Sequence, residues 1–125
     1  MIVGSAAASA ELKAYYAGPG NRFWRTLHCV GLTPTELWPE DYKRLLRYGI
    51  GLTDLAKGAS GADRSLKPED FDPLRLRAVV KTESPHVIAF NGKNAAARFF
   101  GVPVKKLNYG RQADAIGRTA IYVCP

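Results

Sequence analysis

The stretch "HVIAFNGKNAAARFFG" (residues 86–101) decides the fold class of this 125-residue chain. Its first five residues form an uninterrupted apolar run, which is typical of a β-strand covered on both faces. Asn91 and Gly92 then predict a turn, and the residues after them predict a helix that ends at Gly101. A buried strand that runs directly into a helix is the basic unit of a parallel α/β sheet.

Outward from this unit, the chain alternates further short strands with helices. The predicted strands are "MIVG" (1–4), "IGLTDL" (50–55) and "AIYVC" (120–124), and the predicted helices cover 22–30, 39–48 and 73–83. Asn21 is the predicted N-cap of the first helix, because its side-chain oxygen can accept from unpaired amides. The alternation predicts one α/β domain with a four-stranded parallel sheet, in which ligands bind beyond the carboxyl ends of the strands.

The composition is that of an ordinary globular domain, with 46% hydrophobic and 23% charged residues. A chain of this length can bury a single core. It has no apolar run long enough to span a membrane, and its first ten residues lack the basic start of a signal peptide. Cys29 and Cys124 show no metal-ligand spacing, so we expect two free thiols, a cytoplasmic protein and no membrane partner.

The basic residues are concentrated near the C terminus. The net charge is +7, and nine of the eleven acids lie between Glu36 and Glu83. Residues 93–118 contain one acid, Asp114, and six basic residues: Lys93, Arg98, Lys105, Lys106, Arg111 and Arg118. This segment predicts a basic surface for a polyanionic partner, although a solvated face is the simpler explanation of any run of charges.

Two segments at the expected carboxyl edge of the sheet could carry chemistry. In "FNGKNA" (90–95) a glycine and a lysine precede helix amides that lack acceptors, which suits an anion; a simple turn is the alternative. Asp54 follows an apolar strand, where its carboxylate could bind a ligand donor, orient water or simply cap the next loop.

A third segment, "YYAGPGNRFW" (15–24), places two tyrosines before a glycine-rich turn. Tyr16 offers an aromatic face, and the backbone at Gly18 can be approached closely. A planar heterocycle could stack there and gain about 1–3 kcal/mol. A tyrosine that only covers the core is the alternative.

Together these segments resemble the mismatch-specific uracil/thymine DNA glycosylases of the uracil-DNA glycosylase superfamily. The likeness is most specific at "YYAGPGNRFW", and the segments that match in order after it are "LLRYGIGLTDL" (45–55), "PHVIAFNGK" (85–93), "FFGVPVKKLNYGRQ" (99–112) and "IYVCP" (121–125). The resemblance implies a three-layer α/β sandwich. It also implies an enzyme that flips a damaged or mismatched base out of DNA and hydrolyses its N-glycosidic bond, without a metal or other cofactor.

The resemblance implies roles for individual residues as well. The substrate-binding residues would be Tyr16, Gly18, Asn21 and Asn91, and the contacts to DNA phosphates would be Gly92, Lys93, Lys105 and Arg111. Tyr16 would stack on the flipped base. Asp54 stands where the family has a polar or basic residue that contacts the base.

The first family motif departs from the pattern in this chain. The family has Gly-Ile-Asn-Pro, whose asparagine positions the attacking water, whereas this chain has "VGSAAAS" (3–9), with Ala6 in place of the asparagine. Alanine cannot hold water through its side chain, so the catalytic candidates are Asp54 and, less strongly, Ser5 and Ser9. The change predicts altered specificity, such as activity on hypoxanthine or xanthine.

The family also continues beyond the segment that matches "IYVCP" with a loop that grips phosphates and fills the gap left by the flipped base. We expect residues 1–125 to be a single glycosylase-like domain. Because the family's loop would follow Pro125, we expect the C terminus to be either native or truncated. The expected partner is double-stranded DNA containing a damaged or mismatched base, bound by a monomer. The alternatives are a DNA-binding module without catalysis and an unrelated α/β protein that binds a phosphorylated ligand at "NGK".

Overall fold

The computed structural model describes residues 1–4, 22–54 and 72–125, and in these ranges five strands form one sheet. The strands are β1 (Ile2–Gly4), β2 (Leu52–Asp54), β3 (Val87–Asn91), β4 (Gly110–Ile116) and β5 (Thr119–Cys124). Their order across the sheet is β2-β1-β3-β5-β4. The first four strands in this order run parallel, and β4 pairs antiparallel with β5 at one edge.

The α/β class is confirmed, but the predicted count of four strands is wrong because β4 adds an antiparallel edge strand. From the sequence, residues 103–118 are predicted to form a basic loop that leads into the last strand. Most of β4 is exposed or half-buried, and only Ile116 at its end is buried. An edge strand of a hairpin does not need the apolar run that marks a strand in the middle of a sheet, so periodicity gave no signal there.

Three α-helices and two 3₁₀ segments connect the strands within the described residues. The α-helices are α1 (Phe23–Cys29), α2 (Pro73–Glu83) and α3 (Lys93–Phe100), and the 3₁₀ segments are Pro39–Tyr48 and Val104–Lys106. The predicted range of α2 is confirmed, and its start is capped by Asp72, whose carboxylate accepts a hydrogen bond from the Arg75 amide at 2.9 Å. The end of α3 at Gly101 is also confirmed, because Gly101 adopts the left-handed conformation (φ +67°).

The predicted N-cap of α1 at Asn21 is wrong in position. The Thr26 amide donates to the Arg22 carbonyl at 2.9 Å, so the first helical hydrogen bond closes on Arg22 and the helix begins at Phe23. Arg22 makes no side-chain capping bond. Asn21 itself lies outside the described residues.

The two faces of the sheet support separate hydrophobic clusters. Successive residues of a strand point to opposite faces, and in β1 Val3 belongs to one cluster while Ile2 packs against the other. The larger cluster joins α2, α3, β3 and β5, and includes the fully buried Ile88 and Phe90. The smaller one joins α1 to the first 3₁₀ segment through Trp24, Leu27, Leu37 and Leu45. This arrangement gives helix–sheet–helix layers.

None of the helices in the described parts of the chain is long and apolar enough to cross a membrane.

Candidate functional site

The strand order defines where a ligand site should lie. From β1 the chain next adds β2 on one side and then β3 on the other, so the order reverses at the β1–β3 pair. In open α/β sheets, a crevice opens beyond the carboxyl ends of the strands at such a reversal. For this sheet the rule predicts a crevice between Gly4 at the end of β1 and Asn91 at the end of β3.

The register of the parallel strands brings several candidate residues to the same level at this edge. Gly4 pairs with Asp54 of β2, and Asn91 pairs with Cys124 of β5. Since Val3 pairs with Phe90, Gly4 and Asn91 also lie side by side. With neighbouring strands about 4.8 Å apart, the backbones of Asp54 and Asn91 are about 10 Å apart across β1.

The turn from β3 into α3 has a conformation that only glycine adopts easily. Gly92 has φ +103° and ψ 152°. Its N–H donates to the carbonyl oxygen of Cys124 at 2.9 Å, which ties the turn to the end of β5. This N–H is therefore already engaged, and the amides that face outward at the start of α3 belong to the residues after Gly92. Contact of Gly92 with a DNA phosphate stays a prediction.

Lys93 is the first residue of α3, where the helix dipole favours an anion. Its ammonium nitrogen lies 4.2 Å from the centroid of the Tyr109 ring. A cation at this distance over an aromatic face is in a cation–π contact. The Lys93 charge is therefore held at the crevice, beside the end of β3.

The remaining basic candidates occupy different positions. Arg111 is exposed on β4 next to Gly110, whose partner in β5 is Val123, so it lies near the carboxyl edge of the sheet. Lys105 is exposed on the 3₁₀ segment that leads back toward that edge. Arg118 lies in the β4–β5 turn at the opposite edge, so the basic run does not form a single surface.

Cys124 also lies at the carboxyl edge, and it is half-buried. Burial raises the pKa of its thiol, which keeps the thiol protonated at neutral pH. A protonated thiol is a weak nucleophile. Cys124 is therefore suited to lining the edge and not to covalent catalysis.

Five predicted site residues lie outside the described residues: Ser5, Ala6, Tyr16, Gly18 and Asn21. The backbone of Asp54 lies at the end of β2. The described candidates that come together at one edge are Asn91, Gly92, Lys93 and Arg111.

Tyr109 is not among the site residues predicted from the sequence, although its ring lies at the predicted site beside Lys93. The signal was available, since "LNYGRQ" (107–112) places an aromatic residue inside the basic run. Hydrophobic periodicity does not show that this tyrosine contacts Lys93, because the segment is predicted as a loop and a loop has no fixed neighbour.

The model of the uracil DNA glycosylase superfamily matches residues 1–125. The chain belongs to the uracil DNA glycosylase superfamily. Membership indicates DNA glycosylase activity, that is, a hydrolase that acts on N-glycosidic bonds in DNA repair.

Proposed function

We propose that the chain is a monofunctional glycosylase of the mismatch-specific type, which excises uracil or a related deaminated or mismatched base. Its substrate is double-stranded DNA, on which it acts as a monomer in the cytoplasm. The observation that supports this most directly is the Asn91-Gly92-Lys93 turn beside the β1–β3 crevice, with the Lys93 ammonium held over Tyr109. A fixed cation at a ligand crevice suits a DNA strand whose phosphate must be held while one base is turned outward.

The proposed roles follow from the charges that develop as the bond breaks. Positive charge grows on the sugar and negative charge on the departing base, so the site must supply a carboxylate or a positioned water for the sugar and donors for the base. Asp54 has its backbone at the crevice edge and would orient the water or stabilise the cationic sugar. Ser5 is the second candidate for this role, because Ala6 cannot hold water. Tyr16 would stack on the flipped base.

Lys93 and Arg111 would hold the phosphates of the strand that carries this base, with Lys105 extending the contact. These contacts fix the position of the strand without reading its sequence. Asn91, at the end of β3, would lie beside the flipped nucleotide. Base identity would then be decided by the pocket around Tyr16 and Asp54.

The test is a single-turnover assay on labelled duplexes that contain one U:G, T:G or hypoxanthine:T pair, followed by alkaline cleavage at abasic sites. We expect strand breaks at the modified position and none in the unmodified duplex. Asp54→Asn should lower the rate about 100-fold or more. Tyr16→Ala should lower the rate about 5- to 150-fold, which is the factor that corresponds to a stacking energy of about 1–3 kcal/mol.

Lys81→Ala is the matched control, because it removes a lysine from the last turn of α2, next to the amino-terminal end of β3 and away from the crevice. Its rate should equal that of the wild type. If no duplex is cleaved even at high protein concentration while duplex binding persists, the chain is a DNA-binding module and the proposed catalysis is wrong.

A further inference from the structure

Beyond the assignment of Lys93 to a phosphate, the structure points to a residue that controls where the Lys93 charge is held. We propose that Tyr109 is a positioning residue, whose ring fixes the Lys93 ammonium at the β1–β3 crevice so that it meets the DNA backbone. The inference rests on the proposed function for the identity of the anion. The pairing of ring and ammonium rests on the structure alone.

The geometry of the Lys93–Tyr109 pair restrains the ammonium without covering it. The Lys93 nitrogen lies 4.2 Å from the centroid of the Tyr109 ring, while 56% of the Tyr109 surface remains exposed. A ring face can occupy only one side of an ammonium group, which has three N–H donors. The ring therefore restricts the flexible lysine side chain and still leaves donors that can reach a phosphate oxygen.

Tyr109 is itself held in a turn that is stabilised by hydrogen bonds. The side-chain amide of Gln112 donates to the carbonyl oxygens of Asn108 and Gly110, at 2.8 and 3.0 Å, and so bridges the two residues that flank Tyr109. On one side Leu107 is buried in the larger cluster, and on the other Gly110 begins β4. The tyrosine is therefore anchored from both directions although its ring is largely exposed.

The Lys93–Tyr109 pair also lies at the carboxyl edge of the sheet. Gly110 pairs with Val123, one residue before Cys124, and Cys124 pairs with Asn91. The turn that carries Tyr109 and the turn that carries Lys93 therefore meet at the carboxyl edge, where the crevice opens. An aromatic ring that served only to cover the core would be buried, as Phe90 and Phe99 are.

The test separates an aromatic face from a merely structural side chain. Tyr109→Phe and Tyr109→Trp keep a ring under the ammonium, whereas Tyr109→Leu removes it. Binding of a labelled, undamaged 20-base-pair duplex is measured by fluorescence anisotropy at several salt concentrations. Tyr109→Leu should weaken binding about two- to fivefold at low salt, and the two aromatic variants should bind as the wild type does.

The slope of log K against log salt gives a readout that a loss of packing would not change. Lys93→Ala should reduce its magnitude by about 0.9, which corresponds to one phosphate. Tyr109→Leu should reduce it by a fraction of that amount, and Lys81→Ala should leave it unchanged. Unchanged binding and slope in Tyr109→Leu, beside a clear effect of Lys93→Ala, would overturn the inference while leaving the proposed function intact.

A second measurement needs no DNA. Lysines are dimethylated with ¹³C-formaldehyde and a borane reductant, which keeps their charge, and the Lys93 methyl signal is assigned by its loss in Lys93→Arg. The ring should shift this signal upfield in the wild type and in Tyr109→Phe, but not in Tyr109→Leu. An unshifted Lys93 signal in the wild type would overturn the inference whatever the glycosylase assay gives.

Discussion

Cys29 and Cys124 show how much the surroundings of one side chain decide its chemistry. Cys29 is exposed at the end of α1, whereas Cys124 is half-buried at the carboxyl edge, where burial raises its thiol pKa. A thiol reacts as its thiolate, so burial lowers the reactivity of Cys124 twice, by limiting access and by raising its pKa.

We therefore expect iodoacetamide at neutral pH to alkylate Cys29 faster than Cys124 in the folded protein. The rates are read by mass spectrometry of tryptic peptides over time. In urea the two rates should converge, because unfolding removes the burial that raises the pKa of Cys124. Faster alkylation of Cys124 in the folded state would contradict the assigned burial.

The placement of single site residues was predictable where a general rule of α/β sheets applied. Asp54 and Asn91 were expected at the carboxyl edge because each ends a strand, and the register confirms that their backbones lie there. The contact of Lys93 with Tyr109 was not predictable, because it depends on how β4 returns beside β5. No local pattern in "NGK" or "NYG" carries that information.

At the scale of elements, the turn between β3 and α3 matters most for the site. It connects a buried strand to the helix that begins with Lys93, and it does so through Gly92 at φ +103° and ψ 152°. Residues with a side chain avoid this region, because adopting it costs them about 1–3 kcal/mol. The conformation also directs the Gly92 N–H to Cys124 and so fixes the start of α3 relative to β5.

Gly92→Ala should therefore lower the free energy of unfolding by about 1–3 kcal/mol, measured by urea denaturation. Gly51→Ala is the control. Among the described residues, a Cβ at either position would meet no atom within 4 Å. Of these two glycines, Gly92 has a positive φ and Gly51 does not. Gly51→Ala should change stability little or raise it by up to about 1 kcal/mol. If the two changes had equal effects on the free energy of unfolding, a side chain at position 92 would cause no backbone strain.

Elements with strong local signals were predicted well from the sequence, and the others were not. The apolar spacing predicted the range of α2, and the apolar run predicted the core of β3. The edge strand β4 was missed, and residues 39–48 form a 3₁₀ helix instead of an ordinary α-helix. Ten residues of 3₁₀ helix are unusual. Its sequence carries ordinary helix signals, and Leu45 in its middle is fully buried in the smaller cluster.

At the scale of the whole molecule, the sheet separates two clusters, which share no buried residue in the described parts of the chain. The larger cluster supports α3 and therefore the site, through contacts such as the Phe90–Phe99 ring pair at 5.2 Å. The smaller cluster holds α1 and the first 3₁₀ segment against the other face. If the sheet only joins them, a defect in one cluster should not change the energetic cost of a defect in the other.

Ile121→Val in the larger cluster and Leu45→Ala in the smaller one test this separation, since both residues are buried. The single changes should cost about 0.5–1.5 and 2–5 kcal/mol of unfolding free energy. Because the residues lie on opposite faces without a shared buried neighbour, the double variant should show their sum to within about 0.5 kcal/mol. Urea denaturation of all four proteins gives the cycle. A larger deviation would mean that the sheet transmits strain between its faces, and packing around α1 would then influence the crevice where Lys93 is held.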